Sequence, residues 1–435
     1  MVKIILNSYD FLFNLASHSA IMKAQNFIFP FLLTLALLLF TAETQAQKQK
    51  GLDIFGEAVG AIGDEFGWSV SMPDKNTLAV GAVNNWGSGQ WSGHVRVYRW
   101  NGFTWKQKGA DIDGEDWFDK SGFSISMPDS NIVAIGAPFN DGNGSNSGHV
   151  RIYRWNGSKW KQKGADINGE SAGNVSGWSV SMPDSNIVAI GGGSAEGGRV
   201  RIYRWNGSKW KQKGTDIDGT AAYDHFGTSV SMPDANTVAI GASGSRQIDV
   251  TNYVRIYRWN GSAWVQKGTD IDDILRKTLS VSMPDSNTVG IGVGHFSGSF
   301  DSSYASIYRW NGNAWVQKGK DIGREFEIKG HFRWLVSMPD ANTIAIGEPL
   351  FSGKVRIYRW NDSAWVQKGT DIDGSAVGDR SGWSVSMPDA NTVAIGAIFG
   401  RTYSNDKTGS ARVYTLCDQQ SDTTIVVRTA CDSLT

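Results

Sequence analysis

A short acidic motif is the first feature of this sequence that could do chemistry. Asp-Ile-Asp-Gly or a close variant recurs along the chain, and two carboxylates two residues apart point the same way from a β-strand, where a hard cation could use them. An EF-hand-type loop needs more oxygen ligands within about twelve residues, and these are missing. We therefore predict no metal site and no cofactor, and we expect the first Asp to cap a turn or to pair with the neighbouring repeat. That Asp stands at Asp53, Asp111, Asp166, Asp216, Asp270, Asp321 and Asp371.

The histidines do not form a recurring set. His94 and His149 share one repeat position, but Arg199, Tyr253 and Lys354 stand there in other repeats. No His-x-x-x-His, Glu-x-x-His or nucleophile-elbow motif stands out, and the one adjacent Asp-His pair has no serine or cysteine motif beside it. The sequence therefore predicts a protein without catalytic residues, that is, not an enzyme.

Composition indicates which elements must position these residues. The chain has 435 residues with 42 Lys+Arg and 42 Asp+Glu, so a nucleic-acid or anionic-membrane binder that relies on a basic excess is excluded as a whole-chain property. Glycine (52) and Trp (19) are abundant while Pro (10) is scarce. This combination is typical of many short strands and tight turns, and not of a disordered or collagen-like chain.

Internal repeats organise most of the chain. Met-Pro-Asp occurs seven times at intervals of 49 to 55 residues, and each copy accompanies short runs rich in β-branched and aromatic residues, divided by Pro-Asp, Gly and Asn-Gly turn signals. Four strands in a repeat of about 50 residues are typical of a propeller blade, so we predict an all-β, seven-bladed β-propeller of four-stranded blades. In six repeats two Trp residues flank the Asn-Gly turn or its Asn-Asp variant and should pack across a hairpin; stacking on sugars is the alternative. The motif begins at Met72, Met127, Met182, Met232, Met283, Met338 and Met387.

The two ends of the repeat region complement each other. The last repeat ends at 413–416 without its fourth strand. The missing run is present at the other end as Gln49-Lys-Gly-Leu-Asp-Ile54, which matches Gln107-Lys-Gly-Ala-Asp-Ile112. We predict that this N-terminal strand completes the last blade, because closing the ring removes exposed sheet edges.

A second acidic set falls just before the first strand of its repeat. The first strands of a propeller line its central channel, so these carboxylates could form a ring at the channel mouth that binds a cation or hydrogen-bonds to a ligand. The alternative is an Asx-turn that fixes each loop. The set is Asp64, Asp119, Asp224 and Asp379, with Asn174 at the matching place.

Loop length varies in two of the four connections of each repeat, namely that between the second and third strands and that between successive repeats. These connections should emerge on one face of a propeller, here called the variable-loop face, and the fixed turns on the other, the fixed-turn face. Variable loops on a rigid scaffold are typical of recognition surfaces, so we predict ligand-binding aromatics there; the alternative is that each aromatic holds its own loop. The candidates are Trp86, Trp91, Trp117, Phe139, Tyr223, Phe296, Phe300, Phe351, Phe399 and Tyr403.

The ends of the chain carry targeting signals. Residues 27–40 are apolar but too short to cross a bilayer, and a small-residue pattern predicts cleavage after Ala46. We therefore predict a signal peptide region at 1–46, with its natural start at Met22, and a propeller at 47–416. Residues 417–435 form a C-terminal tail, which we interpret as the remainder of a truncated segment. Cys417 and Cys431 could form a disulfide, stay free, or pair between molecules.

Several repeats resemble the FG-GAP repeat of integrin-α-like β-propellers. Gly63-Asp-Glu-Phe-Gly67 followed by Ala79-Val-Gly-Ala82 carries the resemblance, as does Asp224-His-Phe-Gly227, and the similarity extends over about 49–416. It implies a seven-bladed propeller that serves adhesion or ligand binding outside the cell. Family members often carry a calcium loop of the Asp-x-Asp-x-Asp-Gly kind between the first two strands, whereas this chain has only a tight Met-Pro-Asp-x-Asn turn.

These observations favour a secreted or cell-surface, monomeric, non-enzymatic module for recognition or adhesion. Its partner is an unknown extracellular protein or a glycan, with no nucleic acid and no transmembrane segment in the mature chain. A lectin-like propeller is the first alternative, and a propeller-based hydrolase or lyase is the second.

Overall fold

The computed structural model of the protein describes residues 47–57, 63–193, 197–244, 252–274, 278–294, 303–323, 335–399 and 408–416. The predicted signal peptide, both cysteines, and the candidate residues Phe296, Phe300 and Tyr403 lie outside these ranges. No helix occurs in the described residues, and so none there could cross a membrane.

Short β-strands build seven antiparallel sheets, one for each repeat. The N-terminal strands are β1 (Gln47–Gln49) and β2 (Ile54–Phe55). Blade one contains β3 (Phe66–Asp74), β4 (Thr77–Ala82), β5 (His94–Trp100), β6 (Trp105–Gln107) and β7 (Ile112–Asp113). Blade two contains β8 (Ser124–Asp129), β9 (Ile132–Ala137), β10 (His149–Trp155), β11 (Trp160–Gln162) and β12 (Ile167–Asn168). Blade three contains β13 (Ser179–Asp184), β14 (Ile187–Gly192), β15 (Arg199–Trp205), β16 (Trp210–Gln212) and β17 (Ile217–Asp218).

The remaining four blades repeat this pattern. Blade four contains β18 (Ser229–Asp234), β19 (Thr237–Ala242), β20 (Asn252–Trp259), β21 (Trp264–Gln266) and β22 (Ile271–Ile274). Blade five contains β23 (Thr278–Asp285), β24 (Thr288–Gly294), β25 (Tyr304–Trp310) and β26 (Trp315–Gln317). Blade six contains β27 (Leu335–Asp340), β28 (Thr343–Glu348), β29 (Lys354–Trp360), β30 (Trp365–Gln367) and β31 (Ile372–Asp373). Blade seven adds β32 (Ser381–Asp389), β33 (Thr392–Ala397) and β34 (Ser410–Leu416).

Each blade is a four-stranded meander, and in six of the seven sheets of the described residues a further short strand continues the edge beyond a break in the fourth strand. In blade one the order is β3-β4-β5-β6, and β7 pairs with β5 beyond β6. The break covers residues 108–111 and includes Gly109, which has φ of +83° and at which a Cβ would lie 2.6 Å from the Trp155 ring of the next blade. A glycine is needed here because the left-handed backbone and the close indole leave no room for a side chain. The prediction of seven four-stranded blades is confirmed.

Inner strands of successive blades are tied by one repeated hydrogen bond. The amide of each Met-Pro-Asp methionine donates to a serine on the inner strand of the preceding blade, for example Met127 N to Ser71 Oγ at 3.0 Å. Around the ring the same bond closes blade one on blade seven, from Met72 N to Ser386 Oγ at 3.0 Å. The Ser-x-Ser-Met run therefore serves both its own sheet and the adjacent blade.

The paired Trp residues hold neighbouring blades together. Trp155 and Trp160 face each other across the hairpin with ring centroids 5.5 Å apart. Lys108, from the fourth strand of blade one, places its ammonium 5.2 Å from both centroids and donates to Asn131 Oδ1 in blade two at 2.8 Å. Trp160 Nε1 donates back to the Lys108 carbonyl at 2.7 Å. This arrangement supports packing as the role of the Trp pairs.

The N-terminal strand closes the ring as predicted. β1 pairs antiparallel with β34, with Gln47 opposite Leu416, and β2 pairs further along β34, with Ile54 opposite Ala411. Lys50 makes the same clamp on blade one that Lys108 makes on blade two, with its ammonium 5.3 Å from the Trp100 ring. The seventh blade thus combines the two ends of the repeat region.

Candidate functional site

The two connections that vary in length lie on the same face of the ring. Isolated parallel bridges join the end of the connection between the second and third strands to the connection that enters the next blade, as in Gly93 with Ser121 and Gly148 with Ser176. The Asp-x-Asn and Asn-Gly turns occupy the opposite ends of the same antiparallel strands. The propeller therefore has a variable-loop face and a fixed-turn face.

Four of the predicted ligand-binding aromatics are exposed on the variable-loop face. Trp86 follows the second strand of blade one, Trp117 lies between blades one and two, and Tyr223 lies between blades three and four. Phe351, in blade six, is the most exposed of the four at 70%. Trp86 and Trp117 belong to adjacent loops, whereas Tyr223 and Phe351 lie in other parts of the ring.

Two further described candidates, Trp91 and Phe399, pack against side chains of an adjacent connecting loop. Trp91 lies edge-on to Phe118 at 4.6 Å and under the Lys120 ammonium at 4.9 Å. Phe399 is half-buried under the Arg380 guanidinium at 4.8 Å. These two rings therefore join neighbouring loops of the variable-loop face, which differs from the alternative that each aromatic holds its own loop. Phe118, which sequence analysis did not single out, is exposed and also contacts Trp117, with centroids 5.3 Å apart.

An arc of aromatic rings at the inner mouth was missed from the sequence. Trp383, Trp68, Phe123 and Trp178 stand at or just before the start of the inner strands of blades seven, one, two and three, and all four are half-buried. Successive ring centroids are 5.1, 5.3 and 4.6 Å apart. Phe139, a predicted site residue, adjoins this aromatic arc 6.1 Å from Phe123. A signal was present, because each of the four rings directly follows the glycine at the Phe-Gly position, but inspection of single loops did not reveal it.

The glycines of the FG-GAP pattern explain why this mouth is so tightly built. Gly122, with φ of +91°, directs its carbonyl at Gly81 of the preceding blade, where a Cβ would lie 2.3 Å from that oxygen. Ser69 Oγ donates to the same carbonyl at 2.7 Å. Phe123 therefore follows a backbone segment that is fixed from both sides, which sets the position of its ring.

The four predicted channel-mouth aspartates are buried rather than open to the channel. Asp64 accepts from the amides of Glu57 at 2.7 Å and Phe66 at 3.1 Å. Asp379 accepts from the amides of Ser375 at 2.7 Å and Ser381 at 3.1 Å. Their exposed fractions are 0% and 1%, and the same values hold for Asp224 and Asp119. Each carboxylate thus fixes its own loop, as the Asx-turn alternative states, and a solvent-facing ring of these four is not formed.

Burial alters the titration of the first of these groups. Desolvation raises the pKa of Asp64 to about 7, against the pull of its two amide donors and of Arg96. Burial also raises the pKa of Asp119. Asp224, the corresponding carboxylate of blade four, also accepts a hydrogen bond from a side chain, because the Tyr253 hydroxyl donates to its Oδ2 at 2.6 Å.

The first Asp of the Asp-Ile-Asp-Gly motif spans the break in the fourth strand. Asp111 accepts from Gln107 at 2.6 Å, four residues earlier, and from Arg96 Nη2 on the third strand at 2.7 Å. Asp270 repeats this with Gln266 at 2.7 Å and Arg255 at 2.8 Å. The expected turn-capping role fits these contacts, but the partners belong to the same blade and not to a neighbouring repeat.

The structure brings together two groups of residues that the sequence analysis kept apart. His94, Asp111 and Asp113 each place a potential ligand atom within 4.8 Å of the others. Glu115, His149 and Asp166 do the same in blade two. The sequence analysis predicted no metal site. The sequence alone does not show that the end of the fourth strand pairs with the start of the third strand, or that the loop entering a blade lies beside the same residues.

Clefts also occur on the fixed-turn face. One lies between blades two and three and is lined by Arg154, Lys163 and Trp205, and another in blade five is lined by Trp310 and Lys318. Both are walled by the same Lys–Trp clamps that join the blades. Their residues are already engaged in packing, so the variable-loop face remains the better candidate.

Comparisons with known proteins agree with this architecture. A family profile described as the FG-GAP repeat matches residues 55–98. A protein from Bacteroides uniformis ATCC 8492, described as a candidate 6-phosphogluconolactonase, has a similar solved structure with a TM-score of 0.51 and 10% identity, over 75% of this chain and 90% of that one. At this identity the likeness shows the fold alone. No match was found among curated proteins.

Proposed function

The chain is a seven-bladed β-propeller that carries the FG-GAP repeat, and from this we propose that it is a non-enzymatic recognition or adhesion module that binds an extracellular partner on its variable-loop face. The observation that carries the proposal is the placement of aromatic side chains there. Trp117 and Phe351 are 59% and 70% exposed on loops, while the aromatic arc lies at the inner ends of the same connections. Exposed aromatics are enriched at binding hot spots because they offer a large contact area at a low entropic cost.

The scaffold beneath these loops is rigid. Lysine–tryptophan clamps, the serine–methionine bonds and the glycine contacts fix each blade to the next, so that loop residues alone can change without disturbing the core. Such a division is typical of proteins whose loops carry function. Export fits as well, because cleavage after Ala46 would begin the mature chain at Gln47, the first residue of the strand that closes the ring.

A glycan is the second candidate partner, and the aromatic arc is the observation that favours it. The four rings lie in succession at centroid distances of about 5 Å, and pyranose faces commonly stack on aromatic rings of this kind. The Trp pairs of the fixed-turn face are less suited, because lysine already covers them. A hydrolase or lyase stays the third candidate, and no contact among the described residues favours it.

The proposal is tested by screening the purified chain against a glycan array and an array of purified extracellular proteins. For any ligand found, Trp117→Ala combined with Phe351→Ala should weaken binding at least about fivefold, since an aromatic anchor typically contributes more than about 1 kcal/mol. Phe103→Ala is the matched control, because this Phe is 89% exposed on the fixed-turn face. Conversion of the ligand to product, or a loss of binding only in the control, would contradict the proposal.

A further inference from the structure

The start of the third strand faces a repeated acidic pocket. In blade three Arg199 occupies this position, and three carboxylates surround its guanidinium, those of Glu170 at 2.6 Å, Asp216 at 2.9 Å and Asp218 at 3.3 Å. In blade six Lys354 takes the same place and contacts Asp371 at 3.2 Å. These blades therefore fill the pocket with a cation from their own chain.

Blade one has the acidic groups without that cation. Glu57, Asp111 and Asp113 stand where blade three has its three carboxylates, and His94 replaces the arginine. The only cationic side chain that contacts their carboxylates among the described residues is Arg96, which binds Asp111 at 2.7 Å and also contacts Glu57, while Arg151 donates to the backbone carbonyl of Asp113 at 2.6 Å. Three carboxylates and one guanidinium leave a net charge of −2. In blade three the same number of carboxylates faces two guanidinium groups, those of Arg199 and Arg201, so the net charge there is −1.

His94 is buried with both ring nitrogens unused. The residue is 0% exposed, and neither nitrogen has a hydrogen-bond partner. Its Nδ1 lies 3.5 Å from Asp111 Oδ2, and Asp113 is its direct partner across the paired strands. A buried polar group without a partner is costly and calls for an explanation.

We propose that His94, Asp111 and Asp113 bind a divalent transition-metal ion of the Zn²⁺ class. One imidazole and two carboxylates are ligands that such ions accept, and the 3.5 Å between His94 Nδ1 and Asp111 Oδ2 fits bonds of about 2.0–2.2 Å to a common tetrahedral ion, with the third ligand atom within 4.8 Å of both. Calcium is disfavoured, because it requires six to eight oxygen ligands and does not prefer imidazole. A charge of +2 also neutralises the pocket.

The surroundings support this assignment. Gln107 donates to Asp111 Oδ1 at 2.6 Å, as the outer partners of metal-bound carboxylates commonly do, and Arg96 Nη2 donates to Oδ2 at 2.7 Å, so that an ion would use the remaining lone pair of that oxygen. Asp113 also lies against Gly87, where a Cβ would stand 2.6 Å from its Oδ1. A bound ion would therefore stabilise the loop that carries Trp86.

Blade two contains a second copy of the pocket. His149 is 1% exposed with Nε2 unpartnered, and its Nδ1 lies 3.9 Å from Glu115 Oε2. Asn168 replaces the residue that corresponds to Asp113, so Glu115 and Asp166 supply the carboxylates. Arg151 lies 3.3 Å from Glu115 and competes for it. We expect this copy to bind the same ion more weakly.

The test uses the mature full-length chain, stripped with EDTA, with both cysteines alkylated, and titrated with ZnCl₂ in a calorimeter. Wild-type protein should bind one equivalent tightly and a second more weakly, and millimolar CaCl₂ should not compete. His94→Arg, which copies blade three, should remove the tight equivalent. Asp113→Asn, at an exposed position that is Asn in blade two, should weaken it at least about tenfold, since loss of an outer-shell partner alone typically costs 10–100-fold.

Matched controls separate the site from general acidity. Asp218→Asn changes the corresponding residue of blade three, where Arg199 fills the pocket, and should leave the titration unchanged. Melting curves in EDTA show whether each variant is folded, and Asp113→Asn keeps the test decisive if His94→Arg fails to fold. No binding up to about 1 mM Zn²⁺, tight binding retained in Asp113→Asn, or an equal loss in Asp218→Asn would overturn the proposal.

Discussion

Ring closure by the N-terminal strand offers the sharpest test of how the fold is held together. The perturbation is a mature chain that begins at Gly56 and so lacks β1 and β2. This deletion removes the backbone pairing to β34, including the bond from Lys50 N to Val413 O at 2.7 Å. It also removes the buried Ile54 and the acceptor of the Trp105 indole, which is the Lys50 carbonyl at 2.8 Å.

The structure sets the size of the effect. Each lost hydrogen bond contributes about 0.5–1.5 kcal/mol, and burial of one Ile side chain contributes about 1.5–3 kcal/mol. The ammonium of Lys50 additionally donates to the Lys75 carbonyl and Asn76, and lies over the Trp100 ring, an interaction of about 0.5–1 kcal/mol. The loss should therefore be about 5 kcal/mol or more, comparable with the total stability of many domains at about 5–15 kcal/mol.

Urea unfolding followed by Trp fluorescence, together with light scattering after size exclusion, measures the outcome. The truncated chain should unfold at much lower urea and self-associate through the open edge of β34. A synthetic peptide of residues 47–55 should restore a monomer by adding the strand in trans. Deletion of 417–435 is the control and should cost far less. If the N-terminal truncation stays monomeric and within about 1 kcal/mol of wild type, the closure argument is refuted.

Three further outcomes follow from the same contacts. Alanine at Trp86 and Trp117 should weaken ligand binding at least about fivefold without lowering the melting temperature. Alanine at Trp100 and Trp105 should instead lower the melting temperature and leave binding unchanged. Melting and binding curves of each variant test this, and the reverse pattern would mean that the binding face has been assigned to the wrong side of the propeller. Calcium should not stabilise the fold, so the melting temperature of EDTA-treated protein should not rise on adding CaCl₂; a rise of several degrees would refute this. Asp64 is protonated more readily when folded, with a pKa raised by burial from 3.8 to about 7, so its contribution to stability should fall as pH rises between these values. Asp64→Asn should flatten the pH dependence of unfolding free energy over that window, and an unchanged slope would contradict the assignment.

Much of the fold was predictable because each blade repeats local signals. Pro-Asp and Asn-Gly turns specify two of the four connections, alternating β-branched runs specify the strands, and the split Gln-Lys-Gly run specifies closure. The sequence analysis did not predict the short strand β7 (Ile112–Asp113), which pairs with β5 after the break that follows β6. The break is tertiary in origin, since the Trp155 ring of the next blade occupies the space that a side chain at position 109 would need.

The candidate site divides in the same way. The sequence determined which connections vary, and hence which face carries the loops, because loop length can be read from the chain directly. Only the tertiary structure decided that Asp64 is buried under backbone amides, that the rings following the Phe-Gly glycines form an arc, and that His94 meets Asp111 and Asp113. The arc and the His94 group depend on contacts between adjacent blades or between separate strands of one blade, and the burial of Asp64 depends on how the ring packs around its local turn, so burial and charge are set beyond the reach of a local pattern.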